Sequence, residues 1–330
     1  MRRFLPDTFT ILLVLTVILA SVLPVSGTPA DWFGLATKMA IALLFFLHGA
    51  RLSRDVVVAG LLHWRLHLFI LATTFGLFPL VGLAFGTLDL LPPALYAGIL
   101  FLCVLPSTVQ SSIAFTSMAG GNVPAAICSA SASNIFGMFL TPLLVGLLFA
   151  TASGETGGFS IDALEQILLQ LLAPFILGQI LQPWIGDWIR ARKKLLAPVD
   201  RGSILMVVYL AFSEAVTEGL WHTISVQDLG LVVLADVALL AVALLVTFFG
   251  SRLLRFSRED QIAIVFCGSK KSLASGVPMA NVIFAGQGIG SIVLPLMLFH
   301  QIQLMVCAVL AQRYAEARKV KDVEAATSAA

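Results

Sequence analysis

Charged residues are scarce in this sequence: Asp, Glu, Lys and Arg make up 12% of its 330 residues, whereas 59% are hydrophobic. Soluble domains carry about 25% charged residues, so this composition excludes an ordinary soluble domain and predicts an all-α polytopic membrane protein. The formal net charge is only +2, which gives no electrostatic reason to expect a nucleic-acid partner. We expect the lipid bilayer to be the main partner of the chain's surface.

Motifs that carry enzymatic or redox chemistry are also missing. The sequence has no P-loop, no Gly-x-Ser-x-Gly and no His-Glu-x-x-His, so we expect neither an enzyme nor an ATP-driven pump. No bound cofactor or tightly held metal is predicted, and the sequence does not define an oligomeric state. Four cysteines lie in apolar stretches without the spacing of a metal site or a disulfide framework: Cys103, Cys128, Cys267 and Cys307.

Long apolar runs dominate the rest of the chain, and their lengths suit helices that cross a bilayer. The first run follows Met-Arg-Arg and is interpreted as a retained span, because Ala20-Ser-Val-Leu-Pro-Val is a poor cleavage site. We predict about ten transmembrane spans, at residues 8–25, 33–50, 66–87, 93–118, 122–150, 163–184, 201–220, 228–250, 260–284 and 288–312.

Basic residues alternate along this series of spans. Nearly all of the 20 Lys and Arg residues lie at the amino terminus, in every second loop or in the carboxy-terminal tail, and the exceptions are Lys38, Lys270 and Lys271. Because basic residues accumulate on the cytoplasmic side, both termini are predicted to be cytoplasmic, in a bacterial-type inner membrane.

A polar loop at 151–160 divides the chain into halves of about five spans each. An odd number per half means that related halves must have inverted topology, as in many secondary transporters. We therefore predict two inverted repeats of about five helices at 1–150 and 163–313, joined by an extracytoplasmic linker at 151–162 and followed by a cytoplasmic tail at 314–330.

The fourth and ninth spans, at corresponding positions in the two halves, are interrupted by polar and helix-breaking residues. The interruptions are Pro106-Ser-Thr-Val-Gln-Ser-Ser-Ile113 and Gly268-Ser-Lys-Lys-Ser272. Paired breaks of this kind predict a transport site near the midplane, while ordinary kinks satisfied by local hydroxyl groups are the alternative. The residues predicted to bind substrate or ion are Ser107, Thr108, Gln110, Ser112, Asn134, Gly268, Ser269, Lys270, Lys271, Ser272 and His300.

Lys270 and Lys271 lie deep in the ninth span. From Asp260 to Lys270 is about 15 Å of helix, half of a roughly 30 Å hydrocarbon core, so neither ammonium group should reach water. A lysine at that depth costs about 2.5 to 3.5 kcal/mol on insertion scales and normally faces a cavity, a partner or a substrate path. Adjacent residues on a helix point about 100° apart, so the two side chains should serve different environments.

Four other polar residues are placed within or near the bilayer. Asp236 and Glu214 are candidates to pair with Lys270 or Lys271 or to carry a proton. Asp236 is the better one, because Glu214 falls near the outer end of its span and could lie at the interface. His300 falls near mid-membrane and titrates in the physiological range, although a hydrogen-bonded structural histidine is the commoner outcome. Asn134 belongs to a polar strip that either contacts ligand or bonds neighbouring helices.

Several segments together resemble the SBF-like branch of the bile acid:sodium symporter superfamily, over nearly the whole chain. The lysine-serine-leucine motif is the most specific of them. The segments are Trp64-Arg-Leu-His-Leu-Phe69, Pro106-Ser-Thr-Val-Gln-Ser-Ser, Ala119-Gly-Gly-Asn122, Thr141-Pro-Leu-Leu144, Gly178-Gln-Ile180, Gly268-Ser-Lys-Lys-Ser-Leu-Ala-Ser-Gly-Val-Pro278, Phe284-Ala-Gly286 and Pro295-Leu-Met-Leu-Phe-His-Gln-Ile-Gln303.

The resemblance implies a panel domain of spans 1, 2, 6 and 7 and a core domain of the other spans, with broken spans 4 and 9 crossing. In sodium-coupled relatives it also implies sodium held by an acidic residue and a glutamine in span 9 and a Ser-Asn pair in span 4. Here the corresponding residues are Phe266 and Lys270, with Ser112-Ile113 at the pair. A hard cation prefers oxygen ligands, so these replacements argue against the usual sodium sites.

The leading hypothesis is therefore a secondary transporter of a small organic anion that works by alternating access, with the Lys270 ammonium in place of a family sodium ion. One alternative is a sodium symporter of bile acid-like anions with sites rebuilt from Ser107, Thr108, Gln110 and Ser112. A proton is the other coupling ion considered. An alternative of a different class is a non-transporting membrane regulator or channel-like protein.

Overall fold

The computed structural model describes residues 8–51, 63–152, 161–217, 219, 224–284 and 288–328. The elements found there are helices, with no β-strand in these ranges. In chain order they are α1 (Thr8–Val22), α2 (Thr28–Arg51), α3 (Trp64–Ala72), a π-helical turn (Thr73–Leu77), α4 (Phe78–Gly86), α5 (Pro93–Val104), α6 (Gln110–Ala119), α7 (Val123–Ala152), α8 (Ile161–Ala191), α9 (Lys193–Thr217), α10 (Val226–Leu253), α11 (Arg258–Gly268), α12 (Leu273–Ile283) and α13 (Ile289–Ser328).

Every predicted apolar run coincides with one or two of these helices. The chain is an all-α polytopic membrane protein, and 5 of the described helical segments are long and apolar enough to cross a bilayer. The total of about ten spans and the two inverted repeats stay predictions. Helix α13 runs without interruption through the predicted tail from residue 314 to Ser328, and most of the predicted linker, residues 153–160, lies outside the described ranges.

Both predicted interruptions are confirmed. The fourth span consists of α5 and α6, separated at 105–109, and the ninth consists of α11 and α12, separated at 269–272. Pro106 explains the first break, because the residue before a proline avoids helical backbone angles and Leu105 has φ −75° and ψ 153°. The left-handed Gly120, at φ 74°, ends α6 and turns the chain towards α7.

The helices can be described as two contact groups, which are joined by contacts of α9 with α12 and α13 and of α8 with α7. Helices α1, α2, α8 and α9, which correspond to spans 1, 2, 6 and 7, contact one another, with α1 against α9 and α2 against α8. The remaining helices surround the broken spans: α5 and α6 contact α13, and α6 and α7 contact α11. In the predicted repeats, span 1 (α1) corresponds to span 6 (α8) and span 2 (α2) to span 7 (α9). The contact of α1 with α9 then corresponds to that of α8 with α2, as the repeats predict.

Helices α2 and α8 approach each other closely through glycines. A Cβ atom at Gly49 would overlap the Phe175 carbonyl, and one at Gly178 would overlap the Phe46 carbonyl. The Gln179 side-chain amide donates to the Gly49 carbonyl at 2.5 Å, which fixes the register of the two helices. Small residues that let helix backbones meet are the main means of helix association in a bilayer.

We expect Gly178→Ala to lower the thermal unfolding midpoint of the purified protein, by the equivalent of about 1 to 3 kcal/mol, because the methyl group forces two backbones apart. Gly146→Ala is the matched control, since a Cβ there meets nothing within 4 Å. The measurement is a thermal melt in detergent. Equal midpoints for the two variants would show that the α2–α8 contact is looser than described.

Candidate functional site

The two broken spans cross at their interruptions and are bonded to each other there. The Ser107 hydroxyl donates to the Cys267 carbonyl at 2.5 Å, and the Ser112 hydroxyl donates to the Phe266 carbonyl at 3.0 Å. In the other direction, the Ser272 N–H donates to the Pro106 carbonyl at 2.8 Å. Each break therefore satisfies backbone groups that the other leaves open, as required where no water is available.

Lys271 binds the carbonyl end of α5. Its Nζ donates to the carbonyls of Cys103 at 2.7 Å, Leu105 at 2.8 Å and Thr74 at 2.7 Å, and the side chain is fully buried. An ammonium group has three donors, so all of them are used. The carboxy-terminal end of a helix carries partial negative charge, and these charge-assisted hydrogen bonds place a cation against it.

The third carbonyl in this cage is available because of a local change in helix type. The π-helical turn directs the Phe78 N–H to the Thr73 carbonyl. Pro79 follows and has no N–H, so it cannot donate to Thr74. The freed Thr74 carbonyl accepts from Lys271, and the Phe78 ring lies 4.1 Å from the same ammonium.

This geometry corrects the role predicted for Lys270. The sequence favoured Lys270 as the cation that holds the half-helix carbonyl ends, but Lys271 makes those contacts. The chain leaves helical geometry after Gly268, at Ser269, so helical spacing no longer determines where either lysine points. A prediction from the helical pattern could distinguish two environments but not assign them.

The backbone of Lys271 is held by Gln303 of α13. The Lys271 N–H donates to the Gln303 Oε1 at 2.9 Å, and the Gln303 Nε2 donates to the Lys271 carbonyl at 2.9 Å. His300, one turn earlier, has its Nδ1 2.9 Å from the same Nε2. His300 therefore adjoins the crossing through Gln303, in the hydrogen-bonded setting that was expected as the commoner outcome.

Lys270 has a different environment. Its Nζ is fully buried and has no hydrogen-bond acceptor among the described residues. The ammonium lies 4.0 Å from the centre of the Phe115 ring and 5.5 Å from that of Phe266, a cation–π arrangement that offsets part of its desolvation. A buried ammonium without hydrogen bonds is costly, so this group marks a place where an anion would be stabilised.

Hydroxyl groups cluster at the carbonyl end of α11. Ser269 donates to the Val265 carbonyl at 2.6 Å, while Thr108 lies 3.0 Å from the Ser112 hydroxyl. Together with the Ser107 and Ser112 contacts, oxygen atoms from both broken spans meet here, without a carboxylate. In the described part of the chain, no group of three or more His, Cys, Asp or Glu side chains converges as a metal site.

Asn134 joins the two broken spans to α7. Its Nδ2 donates to the Ser107 carbonyl at 2.8 Å and to the Ala130 carbonyl at 2.9 Å, and its Oδ1 accepts from the Ser275 hydroxyl at 2.8 Å. Ser272 caps α12 by accepting from the Ser275 N–H at 3.2 Å. Both side chains hold the crossing together, and their role towards a ligand stays a prediction.

Asp236 forms no hydrogen bond or ion pair with either lysine in this structure. Asp236 is fully buried in α10, and neither of its oxygens has a hydrogen-bond partner among the described residues. The predicted pairing with Lys270 or Lys271 is therefore wrong for this conformation, whereas a proton-carrying role stays a prediction. Glu214 and Gln110 are exposed on the surface of the fold.

Several residues that build the crossing were not among the predicted site residues, although Ser133 belongs to the predicted polar strip and Thr141 to a quoted motif. Ser133 accepts from the Ser107 N–H at 3.0 Å, and Thr141 donates to the Val104 carbonyl at 2.8 Å. Gln303 belonged to a quoted motif but was not assigned to the site. Its sequence signal was a glutamine three residues after His300 on an otherwise apolar helix, which places both on one face. Thr74 contributes only a backbone carbonyl, which leaves no trace in a side-chain pattern.

Comparison with known proteins agrees with this architecture. The model of the SBF-like CPA transporter family matches residues 7–316. The chain is 61% identical over 319 residues to uncharacterized protein PA2026 of Pseudomonas aeruginosa, covering 96% of this chain and 95% of that protein. It is 54% identical to the Escherichia coli protein named "Putative symporter YfeH", covering 93% and 92% of the two chains.

A more distant relative carries an ion and a substrate in its name. The chain is 30% identical over 321 residues to sodium/bile acid cotransporter 7-B of Xenopus laevis, covering 94% of this chain and 92% of that protein. The matches span nearly the whole chain in each case, and the named relatives are transporters rather than enzymes. The chain is thus an integral membrane protein that belongs to the SBF-like CPA transporter family.

Proposed function

We propose that the protein is a secondary transporter that moves a small organic anion across a bacterial-type inner membrane by alternating access. The observation that carries this proposal is the buried, unpaired Lys270 ammonium beside the crossing of the broken spans. An anionic group of the substrate would supply the missing partner. The buried positive charge would then be unpaired only while the site is empty, which favours anion binding.

The arrangement of Lys271 supports transport without sodium at this half-helix end. A mobile cation at the end of α5 would serve the same electrostatic purpose as the ammonium that already contacts the Cys103 and Leu105 carbonyls. We propose that Lys271, rather than Lys270, is the tethered replacement for an ion. Lys270 is then free to act as the counter-charge for substrate.

One observation favours the alternative of sodium symport. The hydroxyls of Ser107, Thr108 and Ser112 and the carbonyls of Phe266 and Cys267 form a group of oxygen atoms at the end of α11. Sodium takes oxygen ligands of this kind, although the carboxylate position is occupied by Phe266. The name of the Xenopus relative extends this alternative to bile acid-like substrates. A proton would instead use the buried Asp236 carboxyl.

Uptake into proteoliposomes with sodium or choline as the sole monovalent cation tests the coupling ion. The transported probe is the organic anion that most raises the melting temperature of the purified protein in a screen that includes taurocholate. We expect saturable uptake at rates within about twofold of each other in the two cations, because Lys271 permanently fills the cation position. An uptake rate that collapses in choline would contradict the proposal of transport without sodium and would support sodium symport.

The same vesicles distinguish the remaining classes. A non-transporting regulator would give no saturable flux, and a channel-like protein would give flux without countertransport of unlabelled probe. Imposing a pH gradient in choline tests a proton as the driving ion. If protons are coupled through Asp236, Asp236→Asn will remove the response to the gradient, while the same variant will retain countertransport at equal pH.

A further inference from the structure

A basic cavity lies where the end of α10, the start of α11 and α13 meet, on the side predicted to be cytoplasmic. Its volume is about 350 Å³, and its lining residues are Arg252, Arg258, Gln261, Ile262 and Tyr314. Cavities that hold small organic ligands start at about 300 Å³, so this one is large enough for a compact molecule. We refer to these five lining residues as the vestibule.

The two arginines of the vestibule are not neutralised within the fold. Neither guanidinium forms an ion pair with a carboxylate of the described residues. Arg252 stacks on Phe248 at 3.9 Å, which orients the guanidinium plane without using its charge. The nearby Asp260 carboxylate accepts from the Asn122 amide at 2.7 Å and so has another partner. The vestibule therefore retains two planar cations able to bind an anionic head group in a bidentate manner.

Tyr314 is the aromatic lining residue of the vestibule, and its ring contacts a ring that also lies beside Lys270. The Tyr314 ring contacts the Phe266 ring at 6.2 Å between centres, and Phe266 contacts Phe115 at 5.9 Å. Lys270 Nζ lies 5.5 Å from the centre of the same Phe266 ring. This aromatic layer thus connects Tyr314, which lines the cavity, with the ring beside the buried Lys270 ammonium.

The spacing along α11 explains this alignment. Arg258, Ile262 and Phe266 follow one another at intervals of four residues and so share one helix face. The face leads from the vestibule to Phe266, about 12 Å of helix from Arg258, and the Lys270 ammonium lies 5.5 Å from the centre of the Phe266 ring. Positive charge is therefore present at both ends of a short, mainly apolar path.

We propose that the vestibule is a loading site for an amphipathic organic anion, with its carboxylate or sulfonate on Arg252 and Arg258 and its apolar body on Ile262 and Tyr314. The proposal rests on the proposed function for the onward step, in which the anion passes the Phe266–Tyr314 layer to reach Lys270. Binding in the vestibule itself needs no transport, so it is tested separately from flux.

The first test measures charge selectivity with a thiol placed in the vestibule. Gln261→Cys is made in a Cys128→Ser background, because the other native thiols are buried, and is reconstituted in phosphatidylcholine nanodiscs. Its reaction rates with sulfonatoethyl and trimethylammonioethyl methanethiosulfonate are compared with those of Thr87→Cys, an exposed control position. We expect the anionic reagent to be favoured at position 261 by about tenfold relative to the control, and less so at high salt.

Matched arginine variants define the source of this selectivity. Arg252→Gln combined with Arg258→Gln should abolish the preference for the anionic reagent. Arg255→Gln should preserve it, because Arg255 lies in the connection between α10 and α11 but does not line the vestibule. A preference that is absent in the parent, or that survives the double substitution, overturns the proposal. If the preference is lost equally in the double variant and in Arg255→Gln, it comes from the general surface charge rather than from a site.

The second test identifies the ligand class by protection. Naphthalene-2-sulfonate should slow modification of Gln261→Cys by neutral methyl methanethiosulfonate at least threefold, whereas sulfate at the same ionic strength should not. Equal protection by sulfate overturns the assignment to an amphipathic anion. If protection disappears when the nanodiscs contain phosphatidylglycerol, the cavity holds a lipid headgroup and the proposal fails. If protection holds but flux is absent, the proposed transport function fails instead.

Discussion

Replacing Lys271 with methionine is expected to destabilise the protein more than any other single change at the crossing. Methionine keeps an unbranched apolar side chain but removes the donors to the Thr74, Cys103 and Leu105 carbonyls. Each buried carbonyl left without a donor costs about 1 to 3 kcal/mol, so the total loss is about 3 kcal/mol or more. The measurement is the thermal or denaturant midpoint of the detergent-purified variant, together with its expression level.

Lys270→Met is the matched control, because it makes the same chemical change one residue earlier. Lys270 has no hydrogen-bond acceptor to abandon in the described structure, and removing its charge also removes a desolvation cost. We therefore expect a midpoint equal to or above that of the parent protein. Similar losses at the two positions would show that Lys270 also has a structural partner and would contradict the separation of roles.

Transport is expected to show the reverse order of sensitivity. Lys270→Gln should fold normally but lower the transport kcat/KM by about 10- to 150-fold, because a hydrogen bond to a charged group contributes about 1.5 to 3 kcal/mol. Glutamine is the residue that the family resemblance places here in sodium-coupled relatives. Phe266 and Ile113 still cannot complete an ion site, so the variant should gain no sodium dependence.

The assay is uptake of the stabilising anion by wild-type and variant proteoliposomes with sodium or choline outside. The amount of inserted protein is matched by quantifying the reconstituted chain. Lys38→Gln serves as a comparison, since Lys38 is a basic residue within a predicted span of the other contact group. Lys270→Gln uptake that equals wild type, or that appears only in sodium, would rule out Lys270 as the counter-charge for the anion.

Much of the architecture follows from local signals in the sequence. Pro106 predicts the end of α5, and Gly268 with the polar residues after it predicts the end of α11, because both disfavour continued helix. The serines of the fourth-span interruption offer hydroxyl groups that can satisfy freed carbonyls, and Ser107 and Ser112 do so. The helix breaks are predictable because Pro106 and Gly268 act on their own stretch of backbone, whereas the Ser107 and Ser112 bonds join residues 160 and 154 positions apart in the chain.

The assignment of the two lysines required the three-dimensional arrangement. The partners of Lys271 are carbonyls at the end of α5 and in the π-helical turn, far away in the chain, and a carbonyl is present at every residue. Pro79 was the only local sign that the Thr74 carbonyl would be open. Likewise, the absence of a bond between Asp236 and either lysine depends on how α10 packs beside the interruption of the ninth span, which residue spacing does not determine.

The contact between Lys271 and the α5 end also has a thermodynamic consequence. A dissolved ion occupies its site to an extent set by its concentration and dissociation constant, so its binding can transmit the free energy of a gradient. The Lys271 ammonium is covalently attached to the chain, so it is held beside its carbonyls at a fixed effective concentration, whatever the medium contains. Under the proposed alternating access, we expect its occupancy to be the same in both orientations of the transport cycle. The Lys271 position therefore contributes cohesion but no driving force, and any uphill movement must be powered by a solute that leaves.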